Sequence, residues 1–168
     1  QRFDYLGRAA GTQFQVNSHT TDLQSDQEIA ALADGGFVAT WMSLHQDGDR
    51  AGIYGQRFDG GGDAVGKEFQ INTFTDDGQD YPAIAALANG GFVVTWDSDD
   101  HAGNDDGIYG QQFSAQLFGT SLNDIMYDEI GANWMDGQGG DDLLLGQSGR
   151  DVVYGGAGND IIKGGNGH

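Results

Sequence analysis

From Gly119 onward the sequence repeats with a period of nine residues and keeps that register to its last residue. Glycines crowd the early places of the later units, an Asp or Asn stands at the sixth place of each full unit, and an apolar residue stands at the eighth. Glycine accepts a positive φ, so a six-residue turn can aim backbone carbonyls inward before a three-residue strand follows. The pattern predicts stacked coils whose narrow core is formed by the eighth-place residues Met126, Met135, Leu144, Val153 and Ile162.

The sixth places of the five full units carry oxygen-bearing side chains that point to one kind of ligand. Stacking would crowd their carboxylates along an edge of the coils, which is unfavourable unless a cation lies between them. Calcium is a hard cation that takes six to eight oxygen ligands at roughly 2.3–2.6 Å, from carboxylates and backbone carbonyls alike. We therefore expect calcium near the sixth-place residues Asp124, Asn133, Asp142, Asp151 and Asp160.

The unit from Gly155 to Lys163 reads G-G-A-G-N-D-I-I-K, and the units at 137–145 and 146–154 follow the same pattern nearly as well. These units resemble the G-G-x-G-x-D-x-U-x repeat of the RTX (repeats-in-toxin, hemolysin-type) calcium-binding family. The resemblance implies a parallel β-roll with two units per coil, and calcium held between turns two units apart. It also implies type I secretion.

The same resemblance assigns roles to individual positions of this sequence. It implies that Asp124, Asp142 and Asp160 share calcium sites along one edge, whereas Asn133 and Asp151 line the other edge. Carbonyl groups of turn glycines complete the coordination, and the glycines that match the pattern are Gly139, Gly140, Gly156 and Gly158. The first unit has Thr120 and Leu122 where glycine is expected, and the second has Asn for Asp, so we expect weaker sites at that end.

Upstream of the nonapeptides, the chain repeats itself after a shift of 55 residues, with Gln1-Arg2-Phe3-Asp4 recurring at Gln56-Arg57-Phe58-Asp59. Apolar runs flank Asp34-Gly35-Gly36 in one copy and Asn89-Gly90-Gly91 in the other, which predicts a β-hairpin in each. Together with residues 13–17 and 53–59, this gives about four short antiparallel strands per copy. This upstream repeat also loosely resembles units of large secreted RTX proteins.

The predicted fold is therefore all-β, with tandem blade-like antiparallel repeats over residues 1–114 and a parallel β-roll over residues 115–168. Two blades cannot close a propeller ring, which typically needs four to eight. The two sheets either pack on each other within this chain, as we favour, or belong to a larger ring completed by neighbours. The chain starts and stops inside repeat units, and we interpret it as a piece of a longer protein.

Aromatic and acidic residues of the upstream repeats leave two interpretations open. The repeated aromatics fit core packing better than sugar stacking, with Tyr54 and Tyr109 the best candidates for a sugar contact. The loops Gln46–Asp49 and Asp97–Asp106 could hold secondary calcium ions, although solvated acidic turns explain them better. Outward residues of the roll are unusually apolar and predict contact with the upstream repeats or with another chain: Ile125, Tyr127, Trp134, Leu143, Leu145, Val152, Tyr154 and Ile161.

Charge and composition narrow the class of function. With 26 acidic and 7 basic residues the chain should repel nucleic acid and anionic membranes, and no apolar run reaches membrane-spanning length. No cysteine is present, no catalytic motif is recognisable and the four histidines fall in predicted loops, so we do not expect an enzyme. Two functions remain: an extracellular, calcium-binding structural or adhesive module that self-associates in a matrix, surface layer or filament, or a calcium-dependent carbohydrate-binding module that recognises an extracellular polysaccharide.

Overall fold

The computed structural model describes residues 1–99, 106–114, 117–127, 133–149 and 151–166. All regular structure in these residues is β, which confirms the predicted fold class, and none of the described segments forms a helix fit to cross a membrane. Fifteen strands follow in chain order: β1 (Arg2–Phe3), β2 (Ala9–Ala10), β3 (Gln24–Ala31), β4 (Phe37–Leu44), β5 (Ala51–Phe58), β6 (Ala64–Gln70), β7 (Gln79–Ala86), β8 (Phe92–Ser98), β9 (Gly107–Phe113), β10 (Leu117–Phe118), β11 (Ile125–Tyr127), β12 (Trp134–Asp136), β13 (Leu143–Leu145), β14 (Val152–Tyr154) and β15 (Ile161–Lys163).

The first 55-residue copy contributes a four-stranded antiparallel sheet in the order β3-β4-β5-β6, which we call the first sheet. Its β3–β4 hairpin turns at the predicted place, because Gly35 adopts φ +87 and Leu32 N–H bonds to Gly36 O at 2.9 Å. The predicted strand at 13–17 is absent, since these residues have no neighbouring strand with which to pair. The strand prediction for residues 13–17 was wrong because the segment has no strand to pair with, and not because its residues disfavour β structure.

The second copy contributes the second sheet, with three antiparallel strands in the order β7-β8-β9. It reproduces the first sheet in detail, because β3 carries a bulge between Ser25 and Glu28 and β7 carries one between Asp80 and Ala83. Within each bulge one residue has a positive φ, namely Asp26 (φ 53) and Tyr81 (φ 53), which lie 55 residues apart.

The two sheets pack on each other, as predicted, and they do so through opposite faces. Val38 and Met42 of β4 join Phe92, Val94 and Trp96 of β8 in one buried cluster. Side chains alternate along a strand, so the β8 residues lie on the face that corresponds to Phe37, Ala39 and Trp41 of β4. The copies therefore stack front to back, like successive members of a series, and not as a symmetric pair.

Residues 117–163 form a roll of two parallel stacks, β10-β12-β14 and β11-β13-β15. Ile125 pairs with Leu143 and Leu143 with Ile161, so each coil takes eighteen residues, or two nonapeptides. Met126, Met135 and Leu144 are buried together and Val153 packs against them, which confirms four of the five predicted core positions. The fifth, Ile162, lies on the last coil and is exposed.

One face of the roll lies against the first sheet. Trp134 is fully buried and meets Phe69 edge-on, with ring centroids 4.7 Å apart, while Val152 and Tyr154 pack against the same cluster. The Tyr154 hydroxyl donates to Lys67 O and accepts from Lys67 N–H, both at 2.7 Å. The predicted contact between outward roll residues and the upstream repeats is thus present for β12 and β14. The opposite stack keeps Ile125, Tyr127 and Ile161 exposed.

Candidate calcium centre

The sixth-place carboxylates form rows that run along the roll and bind its backbone. Asp124 N–H donates to Asp142 Oδ1 at 2.8 Å, and Asp142 N–H donates in turn to Asp160 Oδ1 at 3.0 Å. On the other side of the coil, Asn133 N–H donates to Asp151 Oδ1 at 3.2 Å. The structure therefore brings together the two rows that the sequence predicts, and one oxygen of each carboxylate satisfies the coil before it.

The second oxygen of these carboxylates points into the turn of its own unit. A Cβ placed on Gly137 would lie 2.4 Å from Asp142 Oδ2, one on Gly146 would lie 2.5 Å from Asp151 Oδ2, and one on Gly155 would lie 2.3 Å from Asp160 Oδ2. Asp142 is only 2% exposed, and its Oδ2 atom has no hydrogen-bond partner among the described residues. A buried carboxylate oxygen without a partner costs free energy unless a cation accepts it.

Asp124 at the N-terminal end differs from the other members of its row. Its Oδ2 atom accepts hydrogen bonds from Thr120 N–H at 2.6 Å and from the Thr120 hydroxyl at 2.9 Å. Thr120 stands at the second place of its unit, where the fifth unit has Gly156, and its hydroxyl supplies an internal partner for this oxygen. A cation that binds Asp124 must therefore compete with two hydrogen bonds to its Oδ2 atom. The described residues make no such bonds to Asp142 Oδ2.

The predicted turn glycines lie where backbone carbonyls of neighbouring coils come close. Gly140, Gly156 and Gly158 have φ values of +109, +90 and +143, a region that L side chains rarely adopt. A Cβ on Gly158 would lie 1.9 Å from Gly140 O, and one on Gly156 would lie 2.3 Å from Gln138 O. Gly139 belongs to the same stack of turns through a parallel bridge to Ala157. A side chain at Gly156 or Gly158 would collide with a carbonyl of the neighbouring turn, so glycine permits this close approach of the turns.

This arrangement supplies the donors that calcium prefers, in rows and not in a compact cluster. No group of three or more His, Cys, Asp or Glu side chains is gathered around one point in the described part of the chain. Any oxygen cage in the roll must therefore combine few carboxylates with several carbonyls, which calcium tolerates and zinc does not favour. Arg150 is the one basic residue in the sequence from 119 to 160, so the acidic rows lack cationic side chains to balance them.

The loops considered for secondary calcium sites bind their own neighbours. Asp49 Oδ2 accepts from Asp77 N–H at 2.7 Å, and Asp47 Oδ2 accepts from Gln70 Nε2 at 3.0 Å. Of the second loop, residues 100–105 lie outside the described residues, including the Asn104-Asp105 part of the predicted site. The acidic side chains of the first loop are therefore engaged in hydrogen bonds.

The repeated aromatics are core residues. Trp41 and Trp96 are buried, which agrees with the packing interpretation, and Tyr54 is only 6% exposed. Tyr54 is thus closed to a sugar ligand, because the Val16 segment covers the face on which it packs together with Trp41. Tyr109 also packs against the core, half-buried. Strand alternation alone could not show that residues near Val16 cover Tyr54 on this face of the first sheet.

Sequence reasoning missed the hydroxyl contact of Tyr154 and the internal cap on Asp124. The only local signal for the first was Gly66, which has φ +70 and where a Cβ would lie 2.2 Å from the Tyr154 ring. For the second, the signal was the Thr at a glycine position, which suggested a weaker site but not its cause.

Comparison with known proteins bears on the C-terminal region. Residues 118–153 and 137–168 match the family described as RTX calcium-binding nonapeptide repeat (4 copies). The search of curated proteins and the search of solved structures returned no significant match. Rows of acids, glycine turns and eighteen-residue coils agree with this assignment: residues 118–168 are a tract of RTX nonapeptide repeats, and the ion they bind is calcium.

Proposed function

We propose that this chain is an extracellular structural module in which calcium completes the roll of residues 115–168 and the exposed side of the roll joins copies. The observation that carries the proposal is the buried Asp142 Oδ2, which lies within a row of like charges and has no hydrogen-bond partner in the described part of the chain. Such a row is stable only with cations along it, so the ion is part of the fold.

The ligands in this proposal are the residues that the rows and turns bring close. Asp142 and Asp160 supply carboxylate oxygens along one edge, with Asp124 contributing more weakly because Thr120 holds its second oxygen. Asp151 and Asn133 serve the other edge. Carbonyls of the turn at Gly139 and Gly140, and of the turn at Gly156 and Gly158, complete the coordination.

Calcium binding should couple to folding and to location. Without the ion the carboxylate rows repel each other around a core of few side chains, so the roll remains unfolded where free calcium is scarce. Such a segment leaves the cell unfolded, in keeping with type I secretion, and folds where calcium is abundant. Residues 1–114, whose sheets hold a larger apolar core, act as the pre-formed support on which the roll docks.

The exposed stack β11-β13-β15 is the surface through which copies associate. Ile125 is 69% exposed, Tyr127 and Ile161 are exposed as well, and all three lie on one flat parallel sheet. Aligned apolar side chains on a sheet face form a natural contact between molecules. The roll then acts as a calcium-dependent joint in a matrix, surface layer or filament.

Light scattering in millimolar calcium and in excess chelator tests this proposal. We expect calcium to produce dimers or larger species, and a variant with Ile125→Lys and Ile161→Lys to remain monomeric while still binding calcium. The control carries Leu6→Lys and Leu23→Lys, which change equally exposed residues outside the roll. A wild-type chain that stays monomeric with calcium refutes self-association.

Binding to a defined glycan in an array would instead favour a carbohydrate-binding module, which the buried Tyr54 does not support.

A further inference from the structure

Residues 1–17 repeat the structure of residues 56–72, although they do not belong to the first sheet. Arg2 pairs with Ala10 and Phe3 with Ala9, the same register in which Arg57 pairs with Val65 and Phe58 with Ala64. The Phe14 ring lies 5.5 Å from Phe58, as the Phe69 ring lies 5.7 Å from Phe113. The two segments occupy equivalent places against the sheet that follows each of them.

Two asparagines make the equivalence specific. Asn17 Nδ2 donates to His19 O at 2.5 Å and to Gln24 Oε1 at 3.3 Å. Asn72 Nδ2 donates to Phe74 O and to Gln79 Oε1, both at 2.8 Å. The same side chain holds the same turn in both copies, so the first segment is built for the neighbours that the second one has.

Unlike residues 14–17, residues 69–72 also form hydrogen bonds to β5 of the first sheet. Ile71 N–H donates to Ile53 O at 2.7 Å, and Ile53 N–H donates to Asn72 Oδ1 at 2.7 Å. Through these bonds residues 69–72 extend the first sheet, whose Val38, Met42 and Ile53 cover the face of the second sheet. By contrast, Asn17 Oδ1 accepts only a 3.4 Å bond, from the exposed Gln15 side chain, among its described contacts.

The corresponding face of the first sheet is only partly covered. Val16 is half-buried where its counterpart Ile71 is fully buried, and Ile29 is 62% exposed where its counterpart Ile84 packs against the core. Between them lies an open groove of about 550 Å³ whose lining includes Val16, Ile29, Ala39 and Trp41. The face offers apolar surface in the pattern that a neighbouring sheet buries elsewhere in this chain.

The opposite end of the series is polar. The second sheet carries Asp97 where the first has Met42, and Asp99 where the first has Leu44. Both aspartates are exposed, whereas Ile108, which is 79% exposed, is an apolar exception at this end. Terminal units of repeat arrays are closed by such polar faces, whereas internal units bury apolar ones. The stack of two sheets therefore has a largely polar outer face on the second sheet and an apolar, partly uncovered outer face on the first.

We infer that the open face of the first sheet, formed by Val16, Ile29, Phe37, Ala39 and Trp41, docks a further copy of the 55-residue repeat joined in series. The docked sheet pairs its third strand with residues 14–17, so that Asn17 Oδ1 accepts a backbone N–H as Asn72 Oδ1 does. It covers Ile29 and the groove with residues equivalent to Val38, Met42 and Ile53.

The test extends the full chain by placing a second copy of residues 1–55 directly ahead of Gln1. Hydrogen exchange, read by mass spectrometry on peptides covering residues 13–17 and 24–31, reports docking. Each peptide sequence then occurs once in each copy, so in the extended chain we expect two equal populations, and the one from the original copy should exchange roughly tenfold or more slowly, with or without calcium. The extended chain should remain a monomer by light scattering in excess chelator, where the roll does not join copies.

Two matched variants separate docking from mere presence of the added copy. Val38→Asp and Met42→Asp, made only in the added copy, should abolish the slowing, because they give it the polar face of the second sheet. Ile29→Lys in the original copy should leave the 168-residue chain unchanged and remove the protection only in the extended chain. Unchanged exchange at 13–17 in the extended chain, or dimerisation of the 168-residue chain through this face, would overturn the inference. Calcium binding by the roll is unaffected by either outcome.

Discussion

The sixth-place aspartates of the roll use their two oxygens for different purposes. Oδ1 accepts a backbone N–H from the unit two places earlier, as Asp142 does from Asp124, and this bond needs only an acceptor. Oδ2 turns toward the first glycine of its own unit and, in Asp142, meets no hydrogen-bond donor of the described residues. Asparagine can supply the first function through its carbonyl oxygen, but its amide group is a donor where the second oxygen must face a cation.

Asp142→Asn is therefore expected to keep the coil geometry and weaken calcium binding by roughly tenfold or more, since one anionic ligand is lost from a buried position. Isothermal titration calorimetry, in which calcium is added to the calcium-free protein, measures the change in calcium affinity. Asp76→Asn, which removes the same charge from an exposed residue of the upstream repeats, serves as the control. Equal effects of the two substitutions would mean that net charge, and not the row, governs affinity.

Asp80 provides a second test at the residue scale, because burial raises the pKa of its carboxyl above the usual 3.8, and Asp99, Asp26 and Asp97 raise the pKa further. An acid with a raised pKa binds its proton more tightly in the folded state, so folding stability falls as pH rises through that window. Asp80→Asn should raise the melting temperature of the sheets at neutral pH, and the gain should vanish below pH 3.8. Melting followed by tryptophan fluorescence with chelator present checks this, and a gain that persists in acid would contradict it.

Among the elements, the turns of the roll depend on glycine for two separate reasons. Gly158 has φ +143, and a Cβ there would also lie 1.9 Å from Gly140 O of the coil before. Gly164 begins the next unit, yet a Cβ there would meet nothing within 4 Å. Glycine thus recurs in the repeat at positions with different steric requirements. Gly158 has no room for a side chain, whereas Gly164 has room for one.

Gly158→Ala should destabilise the calcium-loaded roll by more than about 1 kcal/mol, because the left-handed backbone and the close carbonyl both oppose a methyl group. Gly164→Ala should change stability little, since its site is open. Chemical unfolding in saturating calcium compares the two variants. If they lose stability equally, the close approach of the turns is not what limits the roll.

The strands of the roll and the hairpins of the repeats follow from local pattern. The nine-residue period predicts the buried eighth places, and Asp34-Gly35-Gly36 predicts the β3–β4 turn. Residues 13–17 failed as a strand because pairing depends on a neighbour, which no local pattern reveals. Tyr54 proved buried for a related reason: alternation divides the two faces of a strand but does not say whether one of them stays open.

At the scale of the whole molecule, the roll is seated on the edge of the first sheet. The backbone of Lys67 on edge strand β6 finds its partner in the Tyr154 hydroxyl, 87 residues further along the chain. Burial raises the pKa of this phenol, although the bond to Lys67 opposes the rise. Arg57 adds a second contact, with its guanidinium 5.5 Å from the centre of the Phe118 ring. Covering an edge strand in this way also protects it from pairing with other chains.

Tyr154→Phe removes a hydroxyl that satisfies both a donor and an acceptor, so we expect a loss of about 1–3 kcal/mol in the calcium-loaded state. Tyr127→Phe alters an exposed tyrosine of the same roll and should be nearly neutral. Urea unfolding in saturating calcium measures both. A neutral Tyr154→Phe would show that the roll does not rest on β6 in solution.

The account depends most on calcium being part of the folded roll, and amide hydrogen exchange of the full chain tests this directly. Exchange should be measured by mass spectrometry in millimolar calcium and again in excess chelator. We predict that chelation speeds exchange in peptides from residues 117–166 by roughly 100-fold, while peptides from β4 and β5 stay protected. Protection of the roll that is the same with and without calcium would contradict the account.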